Sequence, residues 1–198
     1  MLRGGVAALE EAGRFFMRTD PVHSALRKIT KRLTELGVPH AIAGGMALVA
    51  HGYDRTTVDV DILVTPEGLE QAHRGLSGLG YLPPFEGSRQ LRDAEHGVRI
   101  EFLLTGAFPG DGKPKPVAFP EPASSSTEIG GIRYVTLPVL IELKLGSGMT
   151  NPGRLKDLAD VQELIRNLRL DEAFADRLNP YVRAKYQELR SAVEADRE

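Results

Sequence analysis

Cysteine is absent from the 198 residues. That removes disulfides, thiolate zinc sites and cysteine nucleophiles from consideration. No apolar run comes near the roughly 20 residues needed to cross a bilayer. The opening stretch, Met1-Leu-Arg-Gly-Gly-Val-Ala-Ala-Leu-Glu-Glu, has no long apolar segment ended by a cleavage site. No membrane contact and a cytoplasmic location are therefore expected. An excess of charge of one sign is also lacking. The 25 basic and 27 acidic residues leave a formal net charge of −2, so no overall field points to nucleic acid, although a local basic groove is compatible with this balance. Neither Gly-x-Ser-x-Gly nor a Walker loop ending in Gly-Lys-Ser/Thr occurs, which sets aside the common hydrolase and P-loop readings. His40, His51 and His96 have no His-x-x-x-His spacing and are not expected to hold a metal.

What is present is a short, chemically loaded unit from Ala41 to Val64. Gly44-Gly45 stands where a strand is expected to turn into a helix, and Asp59-Val60-Asp61 follows on the next strand. Residues two apart on a strand share a face, so Asp59 and Asp61 should lie side by side. Adjacent carboxylates repel unless a cation, a proton or a basic partner lies between them. A hard divalent cation such as Mg²⁺ suits oxygen ligands, above all in company with substrate phosphates. Glycines at a helix start let backbone N–H groups approach a phosphate closely. A tight turn without a ligand, and a solvated pair of carboxylates, are the plain alternatives. Arg55 and Thr57 lie between the two motifs. Arg55 suits phosphate oxygens, or is a loop arginine in water or one paired with Asp54.

The rest of the chain supplies the frame. Asp20-Pro21 reads as a cap and first turn of a helix to Leu36, ended by Gly37. Strands are expected at Val38–Ala43, Val58–Val64 and Val98–Leu104, with Val58, Val60 and Ile62 on one buried face and Glu101 opposite Ile100 and Phe102. Short helices are expected from Gly45 to His51 and from Pro66 through Leu79, and Gly80-Tyr-Leu-Pro-Pro reads as a turn. Residues 105–127, rich in Gly, Pro and Ser, read as one long loop, either a lid beside a site or a plain surface excursion. A strand at Ile132–Thr136 precedes a helix from Pro138, interrupted at Gly146-Ser-Gly148. A further helix opens at Asn151-Pro152, and Asp171–Glu198 reads as helical with a break at Asn179-Pro180. The division expected is an N-terminal extension over 1–21, a core over 22–137 and a helical region over 138–198. The fold class is α/β (α+β), a mixed sheet packed on helices with a helical C-terminal portion.

Gly44-Gly45, Asp59-x-Asp61 and a third carboxylate, Glu101, on a later strand together resemble the signature of the nucleotidyltransferase superfamily, the polymerase-beta-like fold. Arg55, Thr57, Asp59 and Asp61 fit the Arg-x-Thr-x-Asp-x-Asp pattern of minimal nucleotidyltransferases and AbiEii-type toxin nucleotidyltransferases. Leu140-Ile-Glu-Leu-Lys-Leu-Gly and Arg154-Leu-Lys-Asp-Leu-Ala-Asp-Val resemble the lysine helix and the Arg-x-Lys-Asp-x-x-Asp of the AbiEii type. The likeness covers roughly residues 22–168, and one departure is Glu rather than Asp as the third carboxylate. It implies a catalytic and metal-binding set of Asp59, Asp61 and Glu101. It implies nucleotide contacts from Gly44, Gly45, Arg55, Thr57, Lys144, Arg154 and Asp157. For Arg154, Lys156, Asp157 and Asp160 the alternative is ordinary surface helix pairing.

The resulting expectation is a Mg²⁺- or Mn²⁺-dependent transfer of a nucleoside monophosphate from an NTP to a hydroxyl. The acceptor is a tRNA end, a protein side chain or a small molecule, and an AbiEii-type relationship brings in a toxin–antitoxin setting with an antitoxin partner. The other reading is a non-catalytic nucleotide- or partner-binding module on the same fold.

Overall fold

A computed structural model of the chain describes residues 12, 13, 15, 18 and 20–196. The extension expected over 1–21 lies almost wholly outside these residues, as does the end of the last expected helix. Helix α1 (Pro21–Glu35) starts where Asp20 accepts hydrogen bonds from the amides of Val22 and His23 at 2.8 and 3.2 Å. It buries Leu26, Ile29 and Leu33, the stripe that its 3.6-residue period demands. Gly37, at φ +68°, releases the chain into β1 (His40–Ile42), followed by α2 (Gly44–Ala50) and β2 (Asp59–Val64). Next come α3 (Pro66–Leu76), β3 (Tyr81–Leu82), β4 (Gln90–Asp93), β5 (Arg99–Leu104), β6 (Ser126–Ile129) and β7 (Ile132–Val135). The C-terminal part holds α4 (Leu137–Thr150), α5 (Leu155–Leu168) and α6 (Pro180–Ala195), with 3-10 turns at Pro152–Arg154 and Glu172–Arg177.

The strands form one mixed sheet in the order β3-β4-β5-β2-β1-β7-β6. β2 runs parallel to β5 over six residues, from Asp59 beside Arg99 to Val64 beside Leu104. On its other side β2 is antiparallel to β1, with Ile42 opposite Ile62. Val60, Ile62, Ile100 and Phe102 point to one side of this central pair and are fully buried or nearly so. There α1 and α3 cover them, His73 of α3 lying 6.3 Å from the Phe102 ring. By alternation Asp59, Asp61, Arg99, Glu101 and Leu103 share the opposite face. Among the described residues no helix is long and apolar enough to cross a membrane.

Several expectations need correction. Val58 precedes β2 and is 77% exposed, so it does not belong to the buried face. Tyr81-Leu82 is a short strand rather than a turn, because Tyr81 pairs with Asp93 of β4. The long loop ends at Ser125, since Ser126-Thr127 open β6, which pairs with β7. The α3 helix stops at Leu76, and Leu79 is exposed. Gly146-Ser-Gly148 does not interrupt α4, which runs unbroken to Thr150. A Cβ at Gly148 would lie 2.6 Å from Leu158 of α5, so the small residues set how closely the two helices pack. The helix expected at Asn151-Pro152 begins as a 3-10 turn, with α5 proper starting at Leu155.

Candidate active site

The carboxylates gather because two central strands lie in register. Asp61 on β2 stands beside Glu101 on β5, and Asp59 beside Arg99. With the side-chain period of two, these four form a square on one face, three acids and one base. The square floors a cleft of about 470 Å³. All the singled-out residues line it: Gly44 and Gly45 at the start of α2, Arg55 and Thr57 from the loop before β2, and Lys144, Arg154 and Asp157 from α4 and α5.

Glycine at position 44 is a steric requirement of the floor. Its φ is +56°, and a Cβ there would fall 1.7 Å from Oδ2 of Asp61. The backbone therefore rests directly on the carboxylate, and the amide of Ala43 donates to the Asp61 carbonyl at 2.9 Å. Gly45 has a different reason: a Cβ would lie 2.6 Å from Oγ1 of Thr57. Thr57 in turn donates to Oδ1 of Asp59 at 3.0 Å. The first amides of α2 have no side-chain cap, so the N–H groups at this end, where Gly44 and Gly45 line the cleft, have no intrahelical acceptor.

Electrostatics separates the three acids. Burial first, then the charges of Asp59 and Glu101, push the Asp61 carboxyl up to about 6. Among the described residues no hydrogen bond or ion pair reaches the Asp61 or Glu101 carboxylates. Asp59 differs, because the Arg99 guanidinium donates to its Oδ2. Arg99 therefore pairs across the strands with Asp59 and not with Glu101 on its own strand. Nor are the three acids drawn into a tight cluster. Only Asp93, Glu95 and His96, among the described residues, bring three ligand atoms within 4.8 Å of one another. That group lies outside the cleft and already holds a cation, Lys28, whose Nζ donates to Asp93 at 2.7 Å and to Glu95 at 2.9 Å.

The opposite wall carries a closed network of charge. Arg55 donates to both oxygens of Asp160 at 2.6 and 2.8 Å. Lys144 donates to Asp160 at 2.7 Å and to Asp157 at 2.8 Å, and Ser147 donates to Asp157 at 2.7 Å. Asp160 is 3% and Lys144 8% exposed, so these are not surface helix pairs. Burial works to raise the Asp157 carboxyl, but Lys144 and Ser147 together hold it below its usual range. Arg55 neither floats in water nor pairs with Asp54. Arg154 stands at the mouth, exposed, 3.8 Å from Asp157. The loop between β5 and β6 adds a third wall through Pro109, Gly110 and Phe119. Sequence reasoning passed over Arg99 as a site residue. Its signal was there, two positions before Glu101 and so on the same strand face.

The chain matches no protein-family model, and no curated protein matches it in sequence. Solved structures do match. A crystal structure of ANT(2″)-Ia in complex with adenylyl-2″-tobramycin superposes with a TM-score of 0.52 at 16% identity, over 88% of this chain and 98% of that one. A solution structure of the antibiotic-resistance factor ANT(2″)-Ia gives 0.54 at 17% identity, over 87% of this chain and 91% of that one. The chain has a nucleotidyltransferase fold. At these identities the likeness is one of fold, and it shows no finer type within that fold.

Proposed function

We propose that this cleft transfers a nucleoside monophosphate from an NTP to a hydroxyl acceptor, with Mg²⁺ or Mn²⁺ held by Asp59, Asp61 and Glu101. The observation that carries this reading is the in-register pair Asp61–Glu101, with Asp59 two residues away, facing two glycines whose missing side chains leave backbone amides open to a phosphate. The residues fit a hard cation: two carboxylates without protein partners, one of them lifted toward neutrality by burial and then by its acidic neighbours, lack positive charge. Bound divalent ions supply charge neutralisation at the leaving pyrophosphate and activation of the attacking oxygen.

The chain's own groups do the rest. Amides at Gly44 and Gly45 donate to phosphate oxygens. Arg55 and Lys144, fixed by Asp160 and Asp157, turn the N–H groups those acids leave unused toward the triphosphate. Arg154 contributes at the mouth. Glu101 accepts the acceptor's hydroxyl proton. The oxygen then attacks the α-phosphorus, and the bond to the bridging oxygen of pyrophosphate breaks.

The adenylyl-2″-tobramycin seen with ANT(2″)-Ia makes a small polyhydroxylated molecule the first acceptor to test. A tRNA end and a protein side chain are the other arms, and the toxin–antitoxin setting belongs to those. The experiment incubates the chain with each labelled NTP, Mg²⁺ or Mn²⁺, and cell extract, and follows label into RNA, protein or small molecules. The double variant Asp59→Asn, Asp61→Asn should abolish transfer with its circular dichroism intact. One observation favours the non-catalytic reading, the arginine on Asp59. Metal-dependent NTP binding with no label transferred to any acceptor would establish it.

A further inference from the structure

We propose that Arg99 couples metal loading to nucleotide binding: it holds Asp59 until a metal–triphosphate complex draws it away. This rests on the reading of the cleft as a nucleotidyltransferase site. Both oxygens of Asp59 are engaged, Oδ1 by Thr57 and Oδ2 by Arg99. A hydroxyl can share an oxygen with a cation, because the oxygen keeps a lone pair. A guanidinium opposes such sharing, since it brings like charge to the same place.

Among the described residues three cleft cations are hydrogen-bonded to a carboxylate, and Arg99, the most exposed of them, is the one free to move in this way. Among the described residues its side chain makes no hydrogen bond other than that to Asp59. Its side chain is 52% exposed, and it is the first residue of β5, at the edge of the square. Arg55 and Lys144, by contrast, are tied to the buried Asp160. A bare divalent cation entering the square meets a positive charge with nowhere better to go. A triphosphate supplies that place, because its oxygens match the guanidinium fork. Cation and nucleotide therefore bind with positive coupling, which is reciprocal.

The test measures Mn²⁺ binding to the full chain by electron paramagnetic resonance of the free ion, with and without a non-transferable NTP analogue. Arg99→Gln should tighten Mn²⁺ binding without nucleotide by about fivefold or more and shrink the further tightening produced by the analogue. Arg99→Lys, which keeps charge but loses the fork, should fall between, and it serves in place of Arg99→Gln should that variant misfold. Equal Mn²⁺ affinity in wild type and Arg99→Gln without nucleotide overturns the coupling. If the Asp59→Asn, Asp61→Asn variant still loses Mn²⁺ in that case, the metal site itself stands and only the role of Arg99 falls. If neither wild type nor Arg99→Gln binds Mn²⁺ with the analogue present, the nucleotidyltransferase reading fails first.

Discussion

Asp61 carries the sharpest physical signature of the cleft at the scale of one residue. Its carboxyl is raised to about 6 from an ordinary 3.8, so in the metal-free protein its contribution to stability is full below about pH 4. That contribution is lost as the pH climbs through about 6. A divalent cation reverses the balance by favouring the ionised form. Proton and cation then compete, and the proton wins below the raised pKa. Thermal unfolding with and without Mg²⁺ should show a stabilising increment that is full near pH 8 and largely gone near pH 5. In Asp61→Asn the increment should be small and flat with pH. An unchanged increment across that range in the wild type would remove Asp61 from the metal site. The motif that led to this residue was legible because it is local: Asp-x-Asp on one strand needs no knowledge of the fold. Arg99 was not legible as its partner, because the Asp59–Arg99 pairing depends on which strand lies beside β2 and in which register.

At the scale of elements, the α4–α5 pair shows where local propensity misleads. Gly146-Ser-Gly148 reads as a helix interruption, since glycine costs roughly 1 kcal/mol in a helix interior relative to alanine. Tertiary packing overrides that preference: α5 lies so close that Gly148 faces Leu158 and the carbonyl of Arg154, at 2.6 and 3.3 Å from a built Cβ. Gly146 differs, with its nearest neighbours Pro109 and Val117 at an ordinary 3.4 Å. Propensity alone expects both alanine variants to be more stable. The packing instead predicts that Gly148→Ala loses about 1–3 kcal/mol through overpacking, while Gly146→Ala stays close to neutral. Urea unfolding of the two variants decides it, and a stabilised Gly148→Ala would mean that α5 can shift. A shift would also strain the Lys144–Asp157 bond that spans the same interface. The strands missed from sequence have a related cause. β4 (Gln-Leu-Arg-Asp) and β6 (Ser-Thr-Glu-Ile) are short and mostly polar, so they lack the apolar run that marked β2 and β5. Tyr81-Leu82 is only two residues long, between Gly80 and Pro83, where turn signals dominate.

At the scale of the molecule, the cleft is assembled from segments far apart in the chain, with Arg55 and Asp160 separated by 105 positions. Their charges and residue types were visible beforehand, but the pairings that fix Arg55 and Lys144 were not, because they follow from helices packing across the sheet. The loop between β5 and β6 shows the same thing. Its composition left open a lid or a plain excursion, whereas the structure pins it as a wall. Lys115 does the pinning: its side chain is 5% exposed, and Nζ donates to the Pro109 carbonyl at 2.6 Å and to Thr150 of α4 at 2.9 Å. The Asn151 amide adds a bond to the Gly110 carbonyl at 3.2 Å. Lys115→Met keeps the length of the side chain but leaves these acceptors and Asp111 without their donor, at a cost of about 1–3 kcal/mol. The loop touches the cleft through Pro109, Gly110 and Phe119 and carries none of the carboxylates. Loosening it should therefore weaken the binding of ground state and transition state alike. Steady-state kinetics should show a raised KM with kcat nearly kept, together with faster amide exchange over residues 106–118. A fall in kcat at unchanged KM would instead mean that the wall sets the alignment of the acceptor with the α-phosphorus rather than the occupancy of the cleft.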